Sequence, residues 1–162
     1  MNEPLSFADM LVRLALAAVG GALVGLERQI RDKPAGLRTN MLVGLGAAGF
    51  VLTAIATTQI SAPDGRQLSF DPTRILQGIV GGIGFLGAGA ILHSRGNVHG
   101  ITTAAAMWVV AAVGAACGFG QFNLAGAMVA ACLVALYPLG YLENRLERRS
   151  LQDKDKREAT DR

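Results

Sequence analysis

The sequence predicts an all-α, polytopic membrane protein, a bundle of five transmembrane helices. Three observations predict this class. The chain of 162 residues is 51% hydrophobic and only 17% charged, whereas an average soluble protein is about 25% charged. No acidic residue lies between Asp71 and Glu143. Five stretches are apolar over about 17 to 25 residues, the length that a helix needs to cross a bilayer.

The predicted spans divide the chain into three parts. A short leader, 1–9, precedes the membrane domain, 10–142, and a charged tail, 143–162, follows it. Such a succession of apolar segments leaves no water-facing surface, so a soluble globule is excluded. The spans are 10–26, 37–58, 75–92, 102–118 and 122–142.

Lysine and arginine are distributed unevenly between the loops. If loops one and three share a side with the tail, that side collects twelve cations, while loop two holds two. Because cytoplasmic loops are enriched in Lys and Arg, the pattern predicts a periplasmic amino terminus and a cytoplasmic carboxyl terminus.

Glycine is concentrated in the third span. Small residues spaced four apart let neighbouring membrane helices approach closely, so the third helix is predicted to be the central one. A broken or re-entrant third helix is the alternative, because each glycine costs a helix about 1 kcal/mol relative to alanine. The predicted packing residues are Gly21, Gly25, Gly78, Gly81, Gly82, Gly84, Gly87 and Gly89.

Glu27 stands out because a carboxylate at a membrane boundary is costly unless it is paired. Arg28 is its neighbour in sequence, and Arg38 begins the second span. We therefore hypothesise a buried pair between Glu27 and Arg38. Most of the cations Arg28, Arg31 and Lys33 are interpreted as topogenic charge.

Polar residues at the starts of the third and fourth spans have simpler roles. Asp71 is predicted to cap the third helix, with Pro72 at its first position. Gln77 is expected to bond to a neighbouring helix, while Thr102 and Thr103 are expected to cap the fourth helix or bond across helices.

No motif in the chain predicts an enzyme, a cofactor or a nucleic-acid partner. Gly82, Gly84 and Gly87 match a G-x-G-x-x-G pattern, but they lie inside an apolar span. A dinucleotide site needs a preceding strand and a later acidic residue. His93 and His99 have no cysteine or carboxylate nearby, so no metal site is predicted.

Several long motifs in fixed order resemble the MgtC/SapB family of bacterial inner-membrane proteins. They run through almost the whole membrane region, and at their positions the chain reads GLER (25–28), AGLRTN (35–40), LVGLG (42–46), DPTR (71–74), QGIVGGIGFLGAG (77–89) and GITTAAAMW (100–108). The resemblance implies a multi-pass protein of the inner membrane. The tail stands where longer family members carry a soluble domain, so we expect a short form without it.

The resemblance also implies which residues to test. The family is associated with growth at low magnesium and with virulence. The functional candidates carried by its motifs are Glu27, Arg28, Arg38, Thr39, Asn40, Asp71, Arg74, Gln77, Thr102, Thr103 and Trp108.

Two functions follow from the resemblance. The first is a regulator of another membrane complex, such as the proton-driven ATP synthase, whose partner is that complex or a second copy of the chain. The alternative is a transporter or channel for Mg²⁺ or another cation. A divalent-ion path usually needs carboxylate ligands, and the central spans hold none, which favours the regulator.

Overall fold

The computed structural model describes residues 5–58, 71–94 and 97–137 as five helices and one short hairpin. The predicted tail lies outside these residues. In chain order the elements are α1 (Phe7–Ile30), α2 (Leu37–Thr58), α3 (Pro72–Ala90), β1 (Leu92–Ser94), β2 (Asn97–His99), α4 (Ile101–Gly118) and α5 (Phe122–Leu136).

The helical bundle predicted from the apolar segments is confirmed. Among the described residues, α1, α2 and α4 are each long and apolar enough to cross a membrane, and α5 is a shorter apolar helix. The helix α3 runs without a break from Pro72 to Ala90, so the alternative of a broken third helix is wrong.

Local sequence features determine where α1 and α4 begin. The Ser6 hydroxyl accepts a hydrogen bond from the Asp9 amide at 3.1 Å, and the Asp9 carboxylate accepts one from the Ser6 amide at 3.3 Å. This capping box starts α1 at Phe7, three residues before the predicted span. Gly100 starts α4 in a left-handed conformation, with φ of 91°, which glycine adopts without a steric penalty.

The central helix is α4, so the predicted central position of the third helix is wrong. The helix α4 packs against each of the other four helices, whereas α3 packs mainly on α4 and only slightly on α2. The buried residues of α3 are Ile83 and Gly87 alone. Small residues permit close helix packing but do not compel it, because lipid solvates apolar surface as well as another helix does.

The glycines that bring helices together lie in α1, α2 and α4. A Cβ on Gly25 would lie 2.8 Å from the Gly36 carbonyl oxygen, and one on Gly44 would lie 2.7 Å from that of Ala17. Gly21 faces the Asn40 backbone, and Gly114 faces that of Gly44. These contacts pack α2 between α1 and α4.

Most glycines of α3 have no such neighbour. Nothing in the described chain lies within 4 Å of a Cβ built on Gly78, Gly81, Gly82, Gly84 or Gly89. The exception is Gly87, which faces Ala104 at 3.6 Å and Trp108 at 3.8 Å. Within the described chain, Gly87 is therefore the glycine of α3 that faces another helix.

Candidate functional site at one end of the bundle

Two adjacent charged residues are buried in the last turns of α1. Glu27 is 8% exposed and Arg28 is 6% exposed. They lie at the end of the bundle that also holds the α1–α2 turn and the start of α4. Since burying charge in an apolar setting is costly, each group needs a partner.

Arg28 finds its partner on the central helix. Its Nη2 donates a hydrogen bond to the Thr103 hydroxyl at 3.1 Å, and Thr103 is itself 2% exposed. This contact confirms the expectation that Thr103 bonds across helices. Arg28 is therefore part of a buried contact between α1 and α4.

Glu27 pairs with Arg31, one turn further along α1. The Arg31 Nε lies 2.8 Å from Glu27 Oε1. The hypothesised pair with Arg38 is wrong, because Arg38 is exposed and the only ion pair that the described residues give Glu27 is the one with Arg31. Residues four apart lie on the same face of a helix, so the pair of Glu27 and Arg31 could have been predicted from the sequence.

Arg31 in turn connects α1 to the end of α5. Its Nη2 donates a hydrogen bond to the Tyr137 carbonyl at 3.1 Å, and its guanidinium lies 4.7 Å from the centre of the Tyr137 ring. A cation over an aromatic face is attracted by the ring quadrupole. Glu27, Arg31 and Tyr137 therefore form one chain of contacts from α1 to α5.

Asn40 holds the turn between α1 and α2. It is fully buried, and its Nδ2 donates to the Ala35 carbonyl and, at 3.1 Å, to the Gly36 carbonyl. Ala35 has a positive φ of 56°, a conformation that non-glycine residues adopt infrequently. The hydrogen bonds of the Asn40 side chain thereby offset the conformational free energy that the positive φ of Ala35 costs the turn.

Some buried polar atoms of this end have no hydrogen-bond partner among the described residues. They are both Glu27 carboxylate oxygens, Arg28 Nε and Asn40 Oδ1. Glu27 Oε1 is close enough to Arg31 for ion pairing although it lacks hydrogen-bond geometry. Buried polar groups are normally satisfied by protein groups or by ordered water, so these atoms retain bonding capacity for a water, a ligand or a partner.

The remaining candidates lie outside the contacts that Glu27, Arg28 and Asn40 make. Thr39 is exposed and lines an apolar groove between α2 and α3, and Trp108 is 43% exposed beside Gly87. Thr102 is exposed at the start of α4. Arg74 and Gln77 are exposed on α3, and the described residues offer Gln77 no hydrogen-bond partner.

Asp71 has the capping role predicted for it. Its Oδ1 accepts hydrogen bonds from the Thr73 amide at 2.9 Å and the Thr73 hydroxyl at 2.7 Å, with Pro72 in the first turn of α3. The Thr73 hydrogen bonds lower the pKa of the Asp71 carboxyl from its ordinary value. Asp71 is thereby accounted for as a helix cap.

Two features of the bundle were missed by reasoning from the sequence. Arg13 donates a hydrogen bond from Nη1 to the Gly118 carbonyl at 2.7 Å, placing a cation at the negative end of α4. Gly114 and Gly118 bring α4 against α2. Gly114 and Gly118 are four residues apart, the same spacing that identified Gly21 and Gly25 as packing residues. Nothing in the sequence indicates the contact of Arg13.

Apolar helices around a central α4, with a buried charged cluster at one end, define a helical membrane protein. The chain belongs to the MgtC family, whose model matches residues 14–145.

Curated relatives agree with this assignment. The chain is 44% identical over 134 residues to Protein MgtC of Salmonella typhimurium, covering 82% of this chain and 54% of that protein. It is 42% identical over 118 residues to the putative magnesium transporter YhiD of Escherichia coli, covering 72% of this chain and 54% of that protein. An uncharacterized Synechocystis protein is 45% identical over 139 residues, covering 84% and 56%.

The chain spans about half the length of these relatives. No solved structure matches it.

Proposed function

We propose that the protein is a regulator that binds another membrane complex in the inner membrane, in response to magnesium limitation or a related stress. The observation that carries this proposal is the open glycine face of α3. A Cβ built on Gly78, Gly81 or Gly82 would meet no atom of another element within 4 Å in the described chain. A face of small residues is the surface against which a further transmembrane helix packs closely.

A groove beside this face supports the proposal. It lies between α2 and α3, has a volume of about 520 Å³, and its wall is almost entirely apolar, with Leu42, Gly46, Phe50 and Gly82 among the lining residues. Side chains of an adjoining helix could fill it, which would bury both the groove and the glycines. The partner is then a helix of another membrane protein, or of a second copy of this chain.

The charges of the bundle argue against conduction of Mg²⁺. Mg²⁺ is bound by oxygen ligands, of which carboxylates carry the compensating charge. Among residues 5–58, 71–94 and 97–137, no group of three His, Cys, Asp or Glu side chains is placed to hold a metal. Glu27 is the buried acid of the described bundle, and it lies beside the buried cation Arg28.

The magnesium connection rests on the relatives. The Escherichia coli protein is named a putative magnesium transporter, which favours the alternative that this chain transports Mg²⁺ or another cation. As part of the proposal, the cluster of Glu27 and Arg28 lies at the cytoplasmic end, as the distribution of Lys and Arg indicates.

Co-purification with a matched control tests the proposal. Gly82→Leu places a bulky side chain on the open face of α3, and Gly126→Leu does the same at an equally open position of α5. We expect the wild type and Gly126→Leu to retain a stoichiometric membrane partner from native membranes, and Gly82→Leu to lose it while remaining folded. Equal retention by both variants would contradict a binding role for the α3 face.

A further inference from the structure

A second cavity, of about 660 Å³, lies at the charged end of the bundle. It lies between the α1–α2 turn, the end of β2 and the start of α4, and we call it the basic cavity. Unlike the groove between α2 and α3, it has a mixed polar and apolar wall. Its polar lining side chains are Arg28, Arg31, Asp32, Lys33, His99, Thr102 and Thr103.

Buried positive charge is the first property of this cavity. Arg28 is 6% exposed. Its Nη2 donates a hydrogen bond to the Thr103 hydroxyl, and its Nε has no hydrogen-bond partner in the described chain. The nearest acid, Glu27, is ion-paired with Arg31 at 2.8 Å. Arg31 and Lys33 add two further cations to the wall, against the single carboxylate of Asp32.

The amino-terminal end of α4 is the second property. Ile101, Thr102 and Thr103 are the first three residues of this 18-residue helix, and all three line the cavity. Gly100 is the N-cap of this helix, and no described side chain caps it with a hydrogen bond. Unpaired amides and the positive end of the helix dipole therefore favour an anion here.

We propose that the basic cavity binds a phosphate group, carried either by a lipid headgroup or by free phosphate. A phosphate offers several acceptor oxygens to a guanidinium, an ammonium, hydroxyls and helix amides, and charge-assisted hydrogen bonds of this kind are strong. The cavity lies at an end of the helical bundle, the level at which phospholipid headgroups would meet it. This site is independent of the proposed partner-binding face on α3.

Binding to the purified protein in neutral detergent tests the proposal, with two probes that separate the sources. Inorganic phosphate is titrated by calorimetry. Retention of phosphatidylglycerol is measured by native mass spectrometry against diacylglycerol, which lacks the phosphate. Saturable binding of phosphate identifies a site for the free anion, and selective retention of phosphatidylglycerol alone identifies a headgroup site.

Substitutions in and near the wall of the basic cavity test whether the phosphate group binds there. Lys33→Gln and Thr102→Val change exposed lining residues, and we expect each to weaken binding by about tenfold. Arg38→Gln removes an exposed cation of the same loop that does not line the cavity and should leave binding unchanged. The proposal is overturned if the wild type binds neither probe, or if Arg38→Gln weakens binding as much as Lys33→Gln does.

Discussion

The Arg28 guanidinium donates a hydrogen bond to the Thr103 hydroxyl at 3.1 Å, between residues 75 positions apart in the chain. Both residues are buried, and the bond ties the end of α1 to the first turn of the central helix. A buried donor that loses its acceptor keeps its desolvation cost.

Thr103→Val should therefore destabilise the bundle. Valine keeps the shape of threonine but offers Arg28 no acceptor, and we expect a loss of about 1 to 3 kcal/mol. Unfolding in detergent measures it. Thr102→Val is the matched control, because Thr102 is exposed, and an equal loss in the two variants would show that the Arg28 bond contributes nothing.

Glu27 should be energetically coupled to Arg31 and not to Arg38. The Glu27–Arg31 pair is at 2.8 Å with Arg31 partly exposed, and pairs four apart on a helix are worth about 0.5 kcal/mol. Double-mutant cycles with Glu27→Gln, Arg31→Gln and Arg38→Gln measure both couplings. A larger coupling of Glu27 with Arg38 than with Arg31 would contradict this pairing.

Alanine at Gly114 and at Gly82 should have opposite effects. At Gly114 the added methyl group meets the Gly44 carbonyl and the Ala47 side chain, and overpacking costs about 1 to 3 kcal/mol. At Gly82 there is open space, so the helix gains up to about 1 kcal/mol. Thermal unfolding of the purified protein measures both, and a strongly destabilising Gly82→Ala would place α3 in the core.

Asp71→Ala should loosen the start of α3, while Asp71→Asn should largely preserve it, because asparagine also caps helices. Amide hydrogen exchange in the first turn of α3 measures this. The hydrogen bonds from Thr73 lower the pKa of the Asp71 carboxyl. Its contribution to stability is therefore fully present above the ordinary carboxyl pKa and is lost as the pH falls through the lowered value. No such pH dependence is expected in Asp71→Asn.

The helices and the cap of α3 were predictable because local physics determines them. Long apolar runs that follow one another with few charges predict membrane helices, and Asp71 before Pro72 is a typical helix start. The pairing of Glu27 with Arg31 follows from helix periodicity. Arg38 was favoured instead because it opens the next span, but it is exposed.

The arrangement of the helices was not predictable from composition. The glycines of α3 are compatible with close packing, yet the described chain packs the glycines of α1, α2 and α4 instead. Which small face is used depends on how the helices pack on one another, and no local pattern encodes that. The contact of Arg28 with Thr103 has the same origin, since it joins residues that only the bundle brings together.

Uptake of Mg²⁺ into liposomes carrying the purified protein tests the central claim, a regulator rather than a conductor, most directly. We expect uptake no greater than that of empty liposomes, in the wild type and in Glu27→Gln alike. Robust uptake that Glu27→Gln abolishes would contradict it and establish a transport path through the charged end of the bundle.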